Sequence, residues 1–271
     1  MEFKHETAVD ETCAPGRRRV SSTSKLEAMA AVVRAPRTMR LAVHPFGVLG
    51  TALTRSKVIQ KRAALPAPGL PIVDPAGLQY IRTGPKGAGG ASGEIYKWLG
   101  IAEDENFPDA VRSAIQAPLQ AKMHFYKVPG LYKVPIGLNP VLHIVGPNFN
   151  SRKCSREEAL GELTAAYSSI LREFANKRLG GLRMLPITGG IFAGPFAPEL
   201  PTLTSIALRR AFDGLPNKTQ HVVSVARLEM CIFQDSEYDA YLEAFKEEIS
   251  KAAEFARSLE MGSTPRQVYP F

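Results

Sequence analysis

Met184-Leu185-Pro186-Ile187-Thr188-Gly189-Gly190-Ile191-Phe192-Ala193-Gly194-Pro195 is a short apolar run that breaks into glycines. Met184 to Ile187, closed by a Thr-Gly-Gly turn signal, has the length and punctuation of a buried strand. A loop that directly follows such a strand is where an open α/β sheet gathers its ligands. A second junction of this kind lies upstream, in Gly84-Pro85-Lys86-Gly87-Ala88-Gly89-Gly90-Ala91-Ser92-Gly93-Glu94-Ile95, which leads into Tyr96-Lys97-Trp98-Leu99-Gly100. Glycines at the amino end of a helix let backbone N–H groups close around a phosphate, and the helix dipole adds attraction. Two such loops, from different strands, could clamp one pyrophosphate.

The flanking sequence supplies the sheet and its cover. Ile72-Val73, Val141 to Val145, Met184 to Ile187 and Glu229 to Phe233 read as buried strands. Between them, Glu157 to Leu179 sets Leu160, Leu163, Tyr167, Ile170, Leu171 and Phe174 at helical spacing, starts after Ser155 and stops at Gly180-Gly181. Leu203 to Phe212 and Tyr238 to Leu259 give two more helices. Strands alternating with helices predict an α/β layered sandwich on a parallel or mixed sheet. No internal repeat is visible.

Charge locates the boundary of the body. The chain holds 34 Lys and Arg against 26 Asp and Glu, a net +8 over 271 residues. Residues 1–66 carry twelve basic and five acidic side chains, leaving a surplus of only one for the rest. A near-neutral body argues against nucleic acid as the folded domain's partner. The division expected is a basic arm over 1–57, a folded domain over 58–259 and a tail over 260–271. Met29 to Leu53, rich in Arg and poor in acids, has the composition of a mitochondrial presequence if translation starts at Met29; a solvated arm is the plainer reading. With 45% apolar residues the body can bury a core. No run approaches the roughly 18 apolar residues of a membrane span, and no secretory signal is visible. The expected setting is intracellular and soluble, cytoplasmic or mitochondrial.

Several chemistries find no anchor. Cys13, Cys154 and Cys231 are odd in number and far apart, which fits reduced thiols rather than a disulfide framework or zinc site. The five histidines show no metal-binding spacing, so no metal is expected and no cofactor is implied. Gly-Lys-Ser and Gly-Lys-Thr are absent, and Gly87, Gly89 and Gly93 miss the dinucleotide fingerprint by one residue. Ser92 lacks a nucleophile elbow. His143, on an apolar strand, reads as a satisfied core histidine.

The order of these segments carries a resemblance. Ile72-Val73-Asp74-Pro75-Ala76-Gly77, Gly89 to Ile95, Leu142-His143-Ile144-Val145-Gly146-Pro147, a helix with Ala165-Ala166-Tyr167, Pro186 to Phe192 and Phe233-Gln234-Asp235 together resemble the macro domain, an ADP-ribose-binding module. The resemblance implies a three-layer α/β/α fold with a mixed, mostly parallel central sheet. It also implies ADP-ribose, or an ADP-ribosylated protein, as the partner. The ligand-binding positions it carries over are Ala76, Gly77, Gly89, Gly90, Ala91, Ser92, Gly93, Ile95, Thr188, Gly189, Gly190, Ile191, Phe192 and Phe233. Phe192 resembles the aromatic that packs on the distal ribose, and Phe233 lies near the adenine.

The departures concern side chains rather than backbone. The family's Gly-Asp-Ile-Thr, whose Asp accepts the adenine amino group, is matched here by Val58 to Ala64, with Arg62 at the acid's place. Arginine cannot accept a hydrogen bond. The family's second Asn after the Ile-Val strand is Gly77, and the acid that some hydrolases carry in the first glycine loop corresponds to Ser92. The loop from Leu78 to Gly87 is longer than usual, with Gln79 and Arg82 as possible substitutes. Asp74 and Glu94 are the candidate catalytic acids, Glu94 also fitting a first-turn helix acid. Three readings stay open: an ADP-ribose binder; an ADP-ribosyl hydrolase or O-acetyl-ADP-ribose deacetylase; or a degenerate macro fold acting through protein or RNA contacts.

Overall fold

The apolar runs alternate in the way a sheet covered on both faces requires. Ile72, Val141 and Cys231 belong to one buried cluster, while their neighbours Val73, Leu142 and Met230 belong to another. Successive strand side chains point to opposite faces, so two clusters mean two covered faces. The computed structural model describes residues 38–127, 138–150 and 152–262. Six strands form the main sheet in the order β1 (Arg40–His44), β8 (Arg227–Cys231), β7 (Gly181–Met184), β4 (Ile72–Asp74), β6 (Leu138–Ile144), β5 (Ala121–Lys127). All neighbours are parallel except the last pair, in which β5 runs antiparallel to β6. The sheet is therefore mixed and mostly parallel.

One face is covered by α4 (Arg156–Lys177), α5 (Leu200–Asp213), α6 (Asn217–Val225) and the first turns of α7 (Asp235–Gly262). The helix expected after Ser155 is α4. Ser155 accepts from the Glu158 amide while the Glu158 carboxylate accepts from the Ser155 amide, a reciprocal capping box that satisfies orphan donors. Buried Leu160, Leu163, Tyr167, Ile170, Leu171 and Phe174 lie along its inner stripe. The opposite face is covered over β4, β6 and β5 by α1 (Leu78–Thr83), α2 (Gly90–Leu99) and α3 (Asp109–Ala114), through Ile81, Ile95, Tyr96, Leu99 and Val111.

Over β1, β8 and β7 that layer is made by a loop and a two-stranded ribbon, β2 (Thr51–Leu53) and β3 (Ile59–Lys61). Val48 and Ala52 are buried there. Arg183, on the covered face of β7, bonds Glu229 at 2.7 Å and the carbonyl of Ala64 at 3.2 Å, with its guanidinium over the Phe46 ring. This ion pair is almost wholly buried, so its guanidinium is satisfied by a carboxylate, backbone oxygen and an aromatic face together.

The boundary expected at residue 58 is thus too late. Arg40–His44 pairs with Arg227–Cys231 along its full length, so folded structure begins before residue 58. A presequence ending near Leu53 would remove β1 and one strand of the ribbon. Residues 1–37 and 263–271, and with them Cys13 and most of the expected arm and tail, lie outside the described residues. Helix α7 runs to Gly262, beyond the expected end of the domain. Cys154 and Cys231 are free, and burial pushes the Cys231 thiol up to about 12, which keeps it protonated and unreactive. Among the described residues no helix is long and apolar enough to cross a membrane, and no group of ligands could hold a metal.

Candidate functional site

Because β1, β8, β7, β4 and β6 are parallel, their carboxyl ends share one edge of the sheet. There the chain leaves β4 through Asp74-Pro75-Ala76-Gly77, β6 through Val145-Gly146-Pro147, β7 through Leu185 to Phe192, and β8 through Ile232-Phe233-Gln234. Neighbouring loops are tied together. Thr188 donates to the carbonyl of Pro147 at 2.7 Å, and the Phe149 amide donates to the carbonyl of Phe192 at 2.8 Å. The Leu53 amide bonds the carbonyl of Phe233 at 2.8 Å, which fixes the ribbon to the end of β8.

Both glycine segments lie at the amino ends of helical turns, but α2 begins at Gly90, inside the first segment, rather than at Tyr96 beyond it. Gly89 caps α2 and Gly189 precedes the 3-10 segment Gly190–Glu199, which kinks at Gly194. At Gly89, Gly90 and Gly190 a Cβ would meet no atom within 4 Å, so all three face open space. Gly93 is the opposite case: its Cβ would collide with the carbonyl of Ala88, and the close approach of loop to helix depends on its absence. Ala91, Ile191, Phe192 and Phe233 are exposed, Ile191 most of all at 77%. Ala76, Ser92, Thr188 and Ile95 are buried. The Ile95 side chain belongs to the core over β4 and β6, so only its backbone is available at this edge. Gly77 opens α1, where a Cβ would sit against the Tyr80 ring.

Beneath the first glycine segment lies a hydrogen-bonded chain that only part of the sequence pattern announces. Asp74 and His143 are register partners on β4 and β6 and point to the same face. His143 Nδ1 lies 2.7 Å from Asp74 Oδ2, and its Nε2 lies 2.8 Å from the Tyr126 hydroxyl. With Asp74 as a carboxylate, the neutral imidazole satisfies both contacts in one tautomer, Nδ1–H donating to Asp74 and Nε2 accepting from Tyr126. Asp74 also accepts from the Tyr96 hydroxyl at 2.7 Å and from the Ser92 hydroxyl at 2.6 Å. Burial and the Asp74 charge push the Tyr96 hydroxyl well above its usual range, so it remains a donor. His143 is the satisfied core histidine that its apolar surroundings suggest.

This arrangement changes the part expected of the acids. Asp74 is fully buried with both oxygens occupied, and its visible work is to hold the start of α2 onto the end of β4. Glu94 falls in the second turn of α2, exposed, and pairs with Lys97 at 2.7 Å. Neither is a free acid at the edge. Arg82 donates to the carbonyl of Gln116 at 3.1 Å, on the α3 side. Arg62 does not stand at the end of the sheet strand that precedes β4; that strand is β1, followed by Pro45-Phe46-Gly47, which still provides no carboxylate. Arg62 instead pairs with Asp235 at 2.6 Å.

Two half-buried histidines give the fold an acid sensitivity. Burial first, then the nearby Arg227 and Arg183 charges against the opposing pull of Glu229, hold His44 below its ordinary 6.5. Burial, His143 and Lys122 do the same for His124. A histidine neutral in the fold takes up its proton more readily when unfolded, so stability is fully present above about 6.5 and declines as pH falls below it. Thermal melting between pH 8 and 5 should show a midpoint that drops through the lower part of that window. His44→Gln, uncharged throughout, should flatten the slope; an unchanged slope would remove His44 from the account.

No known family profile matches the chain, and no curated protein matches it. Solved structures do. Those it is similar to include macrodomains. One, from Oceanobacillus iheyensis with ADP, is 17% identical over 78% of this chain and 92% of its own, with a TM-score of 0.48. Another, from Trypanosoma brucei in complex with ADP-ribose, is 17% identical over 75% of this chain and 68% of its own, with a TM-score of 0.46. Likenesses this distant say nothing by themselves about what this chain binds.

Proposed function

We propose that this chain is a divergent macro domain that binds ADP-ribose, or a related phosphorylated ribose ligand, across the carboxyl edge of its sheet. The observation that carries the reading is the pair of glycine segments held beyond the carboxyl ends of two adjacent parallel strands, β4 and β7. The turn after β7 leads directly into Gly190–Glu199, while the first segment follows α1 and is brought back to the end of β4 by the Ser92 bonds to Asp74 and Pro75; Gly89, Gly90 and Gly190 leave open the positions that side chains would fill. Backbone N–H groups at such turns favour an anion whatever the side chains around them. In this reading Gly89 to Gly93 and Thr188 to Ile191 hold the diphosphate. Phe192 lies beside the distal ribose and Phe233 beside the base.

Binding without turnover is the outcome this site supports. Hydrolysis of a glycosidic bond to a protein side chain calls for a group that can orient or activate water. Asp74 is sealed below the loop, Glu94 is paired with Lys97 in the second turn of α2, and Gly77 offers no side chain. Calorimetry of the full chain with ADP-ribose, AMP and inorganic pyrophosphate tests the reading. Heat with ADP-ribose and weaker heat with pyrophosphate are expected, because the diphosphate is the part held by backbone. No heat with any of the three would sink the proposal. Release of ADP-ribose from a modified protein would replace binding with catalysis.

A further inference from the structure

The ribbon that replaces a helix on one face of the sheet leaves its outer edge unpaired. Hydrogen bonds fix its phase. Gly50 pairs with Arg62 and Thr54 with Val58, while Leu53 turns its amide away from β3 toward Phe233. With the register Ala52 to Gln60, the bonded pairs are the even-numbered residues, so Ile59 and Lys61 direct their N–H and C=O groups outward. No backbone bond reaches those four groups among the described residues. All of β3 is exposed, with Val58 at 53%, Ile59 at 64% and Leu65 at 52%.

Exposed edges are usually blunted by charge, bulges or proline, because they template pairing with another chain. Here the charges are of one sign. Between Arg55 and Arg62 the chain holds four basic residues and no acid. Arg55 and Arg62 face Asp239 and Asp235 on α7, whereas Lys57 and Lys61 form no ion pair among the described residues. The edge thus combines backbone donors and acceptors, apolar side chains at Val58 and Ile59, and two free ammonium groups.

We infer that β3 is a docking edge for an extended acidic segment of a partner protein, which adds to the ribbon as a further strand. Main-chain bonds to Ile59 and Lys61 supply attachment, and Lys57 and Lys61 select carboxylates. The ribbon is bonded to the end of β8 through Leu53 on β2, so a docked segment would lie on its far side, beyond β3. The inference does not depend on the ligand proposed at the carboxyl edge of the sheet.

A fluorescent peptide of about ten residues, the length of a long strand, built on a Val-Thr-Glu-Thr repeat, serves as the probe, with the Glu-to-Lys version as control. The acidic peptide should bind in an anisotropy titration, slow amide exchange at Ile59 and Lys61, and exceed its control by roughly tenfold. Ile59→Pro removes an outward donor while leaving the Ala52–Gln60 pair in place, and edge strands tolerate proline. It should abolish binding with the melting midpoint preserved. The double variant Lys57→Glu/Lys61→Glu should invert the preference toward the basic peptide. Equal binding of both peptides, binding without protection at Ile59 and Lys61, or binding of anionic vesicles or RNA in place of the peptide would each overturn the inference. Failure here leaves ADP-ribose calorimetry untouched, so the two proposals fall separately.

Discussion

Asp74→Ala should lower stability by about 3–5 kcal/mol, the range for leaving two or three buried hydrogen-bond donors without their acceptor. In a body of this size that corresponds to a fall in the melting midpoint of about 10 °C. The reason lies in what the substitution leaves behind. The hydroxyls of Ser92 and Tyr96 and the Nδ1–H of His143 converge on this one carboxylate from α2 and β6, in a region without solvent access. Each stranded donor costs about 1–3 kcal/mol when buried, and the missing carboxylate adds a void. Ser92 can turn partly to the carbonyl of Pro75, which lies 3.3 Å away, so the three penalties do not simply add. Asp74→Asn should cost less, because its amide oxygen still accepts two of the bonds. If thermal melting of the alanine variant matched the parent, the chain of hydrogen bonds would not be a structural tie at all.

The same residue shows where sequence reading reaches its limit. Ile72-Val73-Asp74 and Val141-Leu142-His143 each present an apolar pair followed by a polar group, and alternation alone puts the polar groups on one face of each strand. Their meeting also requires that β4 and β6 be neighbours in that register, and local pattern does not carry register between parallel strands separated by helices. Tyr96 and Ser92 join only because α2 begins at Gly90, earlier than the Glu94 start assumed when that acid is read as a first-turn residue. A carboxylate that looked like a catalytic candidate was thus legible as a polar group in a core strand, but not as one already saturated.

The strands that were legible are those buried on both faces. Ile72–Asp74, Leu138–Ile144, Gly181–Met184 and Arg227–Cys231 form the interior of the sheet; the first two hold the expected apolar runs, whereas β7 and β8, interrupted by the paired Arg183 and Glu229, begin and end two or three residues before the expected Met184 to Ile187 and Glu229 to Phe233. The two edge strands escaped detection for the reason that they are edges. In β5, Lys122 and His124 interrupt the apolar residues, since part of that strand faces solvent; in β1, Arg40–His44 is short, only partly buried and embedded among arginines. Missing β1 displaced the domain boundary and put Arg62 in the wrong structural place, so the surplus charge attributed to an arm belongs in part to a folded ribbon. The glycine loops were legible because backbone needs dictate their composition, whereas the partners of buried side chains come from elsewhere in the fold.

Gly190→Glu should abolish ADP-ribose binding while leaving the fold nearly as stable as before. Gly190 has φ of 63° and is exposed, and a Cβ there would meet nothing within 4 Å. The new side chain therefore fits, at the cost of about 1–2 kcal/mol for a non-glycine residue in the left-handed region, or a few degrees in the melting midpoint. Its carboxylate would enter the space proposed for the diphosphate and oppose it by charge as well as by volume. A loss of at least about a hundredfold in affinity, near 2.8 kcal/mol, is expected in calorimetry. Gly190→Ala separates the two effects: it carries the same backbone strain without charge or reach, and should keep affinity within about tenfold of the parent. Gly93→Ala serves the contrary purpose, since its methyl group would press on the Ala88 carbonyl and disturb the loop itself. If Gly190→Glu bound ADP-ribose as well as the parent, a ligand held by this edge would have to avoid the turn after β7, and the second glycine segment would be a turn and nothing more.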